Sequence, residues 1–162
     1  MSNTYQNRGN GYSQGRQDRN NQYSNANNLQ VTLPNGYLEN GYYVDPEKEK
    51  RNKDYIIKYA KQIASCLERE GNGQKNNRSQ IRKYFDYALR VRDKLLSKDN
   101  DFSYVEADIA QFESTVAYAK GRGVVTDIFE KFVTNNIEKI NDAKDYYAFI
   151  KHFEAVVAFM KK

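Results

Sequence analysis

Two side chains in this sequence could in principle do covalent chemistry together. Cys66 is the only cysteine and His152 the only histidine, and a thiol beside an imidazole makes a nucleophile with its base. The local pattern argues otherwise. Cys66 shares a helical stripe with Ile63 and Leu67, where a lone cysteine is a packing residue. Glu106 and Asp108 would fall on different faces of a helix, too far apart in direction to act as an acid–base pair. Gly121-Arg-Gly123 lacks the flanks of a phosphate-cradling loop and reads as a helix terminator. No His, Cys or carboxylate spacing suits a metal, and nothing calls for a cofactor. The chemistry that remains is fixed positive charge, held where an anion could meet it.

That charge is unevenly spread. The chain carries 26 Lys+Arg against 21 Asp+Glu. Residues 1–45 contribute none of the excess, because Arg8, Arg16 and Arg19 balance Asp18, Glu39 and Asp45. Residues 75–98 hold eight basic and two acidic groups, whereas residues 99–119 hold five acidic and no basic ones. Such asymmetry points to a polyanionic partner more than the modest net charge does.

The elements that position these charges come from hydrophobic spacing. Residues 1–45, with ten Asn, five Gln and five Gly, are too poor in aliphatic side chains to repay ordering and are expected to form a disordered tail. Residues 46–162 are expected to form one helical domain. Asp45-Pro46 predicts a first helix, with Ile56, Tyr59, Ala60, Ile63 and Leu67 inward and Gly71-Asn-Gly73 as its stop. Asn77 and Gln80 form a capping box for a second helix, whose stripe is Ile81, Tyr84, Phe85, Ala88, Val91 and Leu95. Ser103 and Glu106 predict another box for a third helix. A fourth runs from about Val124 to Ile140, and Asp142 caps a fifth that buries Tyr146, Phe149, Ile150, Phe153, Val157 and Met160. The fold class is therefore all-α: an antiparallel bundle of about five helices behind a disordered N-terminal tail.

Short loops force an up-down arrangement, which gathers Arg69, Lys75, Arg78, Arg82, Lys83, Lys120, Arg122, Lys161 and Lys162 at one pole. The opposite pole collects Asp99, Asp101, Glu106, Asp108, Glu138 and Asp142. Much of this suits the helix macrodipole without any ligand. Arg78, Arg82 and Lys83 do not, since a helix start disfavours cations, and a bound phosphate is one reason to keep them there. The fifth helix has a second weakly polar face, Ala148, His152, Ala155 and Phe159. It predicts a contact with another subunit; a central helix with two neighbours would produce the same pattern.

Three segments in this order, Ser79-Gln-Ile-Arg-Lys-Tyr84, Val116-Ala-Tyr-Ala-Lys-Gly-Arg122 and Phe153-Glu-Ala-Val-Val-Ala-Phe159, resemble the small helical subunit of type III-A CRISPR effector complexes, the Csm small-subunit family. The likeness spans about residues 55–162. It implies an all-helical protein without enzymatic activity, several copies of which stack along the guide RNA–target RNA duplex beside the backbone and large subunits. Carried over by position, Arg82, Lys83, Lys120 and Arg122 are the implied RNA-backbone contacts, with Lys161 after the last motif. The tail departs from the family pattern. Its Arg8-Gly, Gly15-Arg and scattered Tyr resemble RNA-associating segments, while its Asn/Gln bias suits a solvated spacer, the favoured reading, or a self-associating segment, and Leu29 to Leu33 could add as a strand to a partner. With no apolar run longer than Ala155 to Met160, no membrane partner is expected, and the location is expected to be cytoplasmic.

Overall fold

The computed structural model describes residues 31–161, and Arg8, Arg16, Arg19, Leu29 and Lys162 lie outside them. Five α-helices follow one another: α1 Lys58–Gly71, α2 Arg78–Ser97, α3 Glu106–Gly121, α4 Asp127–Ile137 and α5 Ala143–Phe159. A single antiparallel bridge between Tyr43 and Arg51 is the only β pairing among the described residues.

Where the sequence carries its own capping chemistry, the helix boundaries follow it. Asn77 Oδ1 accepts from the Gln80 N–H and the Gln80 side chain accepts from the Asn77 N–H, completing the expected box on α2. Asp142 accepts from the Asp145 N–H at the start of α5. Asn72, in the left-handed region at φ 47°, closes α1.

Two expected starts are displaced. Asp45 caps no helix: its carboxylate accepts from the N–H groups of Glu49 and Lys50, closing a turn in which Lys48 takes φ 56°. A left-handed residue there stops helical propagation. α1 thus begins only after a 3-10 turn at Lys53–Tyr55, and Ile56, expected inward, is 39% exposed. Likewise Ser103 is no cap for α3. Asp101 instead accepts from the Ser103 N–H to start a 3-10 turn at Phe102–Tyr104, and α3 follows it without a side-chain cap.

α5 lies centrally, packed on α1 and α2, while α3 packs on α4. The core is aromatic. Phe153 meets Phe85, Phe132 and Phe149 with ring centroids 5.2 to 5.7 Å apart, a spacing at which tilted and edge contacts add to burial.

The largest difference from expectation concerns residues 31–45, which are not a tail but a strap across the bundle. Val31 and Leu33 pack on the core of their own chain, so neither is free to add as a strand elsewhere. Tyr37, Leu38 and Tyr42 are buried. The Tyr42 hydroxyl donates to Asn136 Oδ1 at 2.6 Å, and Asn136 Nδ2 donates to the Tyr37 hydroxyl at 2.7 Å. Further on, Lys48 Nζ reaches the carboxylates of Asp142 and Asp145, each at 2.7 Å. Tyrosine permits this because its ring is a large apolar payload once its hydroxyl is satisfied.

Candidate nucleic-acid interface

The end of α1, the start of α2, the end of α3 and the start of α4 are tied together by side chains. Asn76, fully buried, accepts from the Thr126 N–H at 3.1 Å and donates to Thr126 Oγ1 and to the Leu67 carbonyl. Glu70 Oε2 accepts from the Ile128 N–H at 2.9 Å and so caps α4 from α1. The end of α5 joins the group, where the Lys161 N–H donates to the Glu68 carboxylate. These bonds gather one pole of the bundle as the loop lengths require.

Not every cation at that pole is available. Lys120 Nζ is 3.0 Å from Glu130 and 3.5 Å from Asp127, and its bond to Glu130 is the main reason its pKa is raised. Lys75 Nζ stands 3.7 Å from where a β-carbon on Gly123 would be, beside Arg122. Lys75 and Lys120 line one shallow cavity of about 390 Å³ together with Glu70 and Asp127. Arg122 is exposed, and its guanidinium lies over the ring of Tyr118 at 5.7 Å. Lys83 and Lys161 are exposed, and Arg78 is half-buried. None of Lys83, Arg78, Arg122 and Lys161 has an ion-pair partner among the described residues.

Arg82 does not join this group. Tyr84 packs on Phe129 of α4 at 5.0 Å, and two residues earlier is roughly 200° around a helix of 3.6 residues per turn. Arg82 therefore points away from α4, where it pairs with Asp86 at 3.0 Å and covers the Phe85 ring. Lys83 takes the other direction. It precedes Tyr87 by one turn, and Tyr87 stacks on Phe112 of α3 at 5.3 Å, so Lys83 lies on the α3 side of α2.

The face expected to contact another subunit is largely covered. Ala148 and His152 are buried. His152 Nε2 meets the Tyr37 hydroxyl at 2.7 Å and Nδ1 the Tyr55 carbonyl at 2.6 Å, and burial pulls its pKa down to about 4. The strap and the 3-10 turn are the second neighbour that makes α5 a central helix. Ala155 is half-buried, and Phe159 is 41% exposed with Lys61 over its ring. These contacts also separate the two candidate covalent groups, because Cys66 Sγ donates to the Thr32 carbonyl instead of meeting His152. Among the described residues no group of three His, Cys, Asp or Glu could hold a metal ion, and no helix is long and apolar enough to cross a membrane.

Tyr118, 67% exposed, is a candidate that the sequence expectation left out; its i,i+4 spacing to Arg122 was the available signal. The expected basic pole also held too few acids, since Glu68, Glu70, Asp127 and Glu130 all take part there.

The described residues thus form an all-α bundle with a charged pole and an arginine-capped tyrosine. A family model described as Csm2 Type III-A matches residues 50–162, and the chain belongs to that family, a small subunit of the type III-A CRISPR complex. No curated protein and no solved structure gives a match.

Proposed function

We propose that this subunit is non-catalytic and binds the backbone of guide and target RNA without reading sequence, stacking with copies of itself beside the backbone and large subunits in the cytoplasm. The observation that carries the reading is the convergence of Lys75, Arg122 and Lys161, whose side chains have no ion-pair partner among the described residues, on the pole tied by Asn76 and Thr126. Lys83 continues that surface along α2. Cations without fixed partners release condensed counterions when they meet phosphate, which is the source of sequence-independent affinity. Tyr118 adds a face on which any base can stack. Ala155 and Phe159 support contact between copies, in place of the wider face that includes Ala148 and His152.

The test is affinity for two single-stranded RNAs of unrelated sequence and equal length. Equal binding at each salt concentration supports the reading. A preference of one hundredfold for either RNA contradicts it. The second reading, a helical scaffold subunit without direct RNA contact, draws on the exposed Phe159 and Ile57. It requires Phe159→Asp to abolish assembly while substitutions of Lys83 and Arg122 change nothing.

A further inference from the structure

The strap does more than cover α5; it also builds one wall of a groove. Cys66 Sγ donates to the Thr32 carbonyl, and the Tyr59 hydroxyl donates to the Gly36 carbonyl, each at 3.4 Å. The strap therefore runs antiparallel to α1, with its earlier residues beside the last turns of that helix. Between them lies an open groove of about 500 Å³. Its α1 wall is Lys61, Gln62, Ser65 and Arg69, and its strap wall is Thr32 to Asn35.

The lining is cationic. Among the described residues it contains Lys61 and Arg69 and no carboxylate, whereas the cavity at the loops sets Glu70 and Asp127 against Lys75 and Lys120. A phosphate in that cavity meets no net charge and must displace the Lys120 ion pairs. In the groove it meets two cations whose close contacts are a phenyl ring and a thiol, Lys61 over Phe159 at 5.2 Å and Arg69 Nη2 at 3.7 Å from Cys66 Sγ. Eight residues separate Lys61 from Arg69, about 12 Å along a helix axis. They can thus address different phosphates of one strand, with the exposed Gln62, Ser65 and Asn35 between them as neutral hydrogen-bonding groups. Arg69 lies in the last turn of α1 beside Glu68, which holds Lys161, so the groove opens toward the basic pole. The strap precedes the family-matched region at residues 50–162, so one wall is an addition to what the family match covers.

We infer that this groove seats a segment of single-stranded RNA, held through its phosphodiesters by Lys61 and Arg69 and continuous with the strand at the basic pole. The inference rests on the reading of the chain as an RNA-binding subunit.

The test uses the full chain, a single-stranded oligouridine, and two double variants, Lys61→Ala/Arg69→Ala in the groove and Lys83→Ala/Arg122→Ala at the pole. All four side chains are exposed, and helical circular dichroism verifies folding. The groove variant should bind about tenfold or more weakly, with the slope of log affinity against log salt flattened by about 0.7 for each phosphate no longer neutralised. Arg69→Lys, which keeps the charge, should retain the slope. Loss of binding in the pole variant alone overturns the groove and leaves the proposed function standing. Unchanged binding in both overturns both. Unchanged RNA binding with lost self-association in the groove variant also overturns the inference, because the groove would then seat a neighbouring subunit.

Discussion

The hydroxyl of Tyr37 and Nε2 of His152 lie 2.7 Å apart, joining the strap to the central helix across 115 positions of sequence. The surrounding bonds settle their direction. Asn136 donates to the Tyr37 oxygen, so that hydroxyl donates to Nε2, and His152 donates from Nδ1 to the Tyr55 carbonyl. The imidazole is thereby held neutral, with both nitrogens engaged.

Removing the hydroxyl leaves Nε2 without its donor and Asn136 Nδ2 with only the Phe132 carbonyl. Tyr37→Phe should cost about 1–3 kcal/mol, the penalty for stranding buried polar groups. Urea denaturation at pH 7 measures this. A cost near zero would mean that the bonds of the Tyr37 hydroxyl to His152 and Asn136 contribute no net stability.

The same histidine sets a pH dependence. Its folded pKa of about 4 lies below the ordinary value of about 6.5. Between those values the unfolded chain binds the proton and the folded one does not, so stability falls as pH drops through 6.5 toward 4. The loss across that window is about 3 kcal/mol. His152→Gln should flatten the stability profile between pH 6.5 and 5, above the range where carboxylates titrate.

Capping residues offer a paired comparison. Asn77→Ala should destabilise by about 1 kcal/mol, because the structure contains the reciprocal box with Gln80. Ser103→Ala should cost less than about 0.5 kcal/mol, since Asp101 starts that turn. Thermal melts of the two variants separate the cases.

The helices were legible because their signals are local. The Asn77–Gln80 box, the Asn72 stop and the aromatic stripe of α5 each depend on residues within a few positions. The strap was not legible, because Tyr37 and Tyr42 sit among Asn and Gly and find partners in Asn136 and His152, about a hundred residues away. The basic pole was half legible. Loop lengths bring its cations together, but the direction of Arg82 depends on where Tyr84 packs, and the pairing of Lys120 depends on α4.

That pairing makes a prediction of unusual sign. Glu130→Gln should raise RNA affinity and steepen its salt dependence, because it loosens Lys120 from its nearer carboxylate at 3.0 Å. Filter binding at two salt concentrations checks the direction.

The sharpest single measurement is the salt dependence of RNA binding by the chain and by Lys83→Ala/Arg122→Ala, on an RNA long enough to carry several copies, since linked weak sites reinforce one another. If the pole grips phosphate, the variant binds more weakly, with a slope shallower by about 0.7 for each cation removed from a bound copy. Identical affinity and slope in a fully folded variant would mean that the pole does not hold RNA.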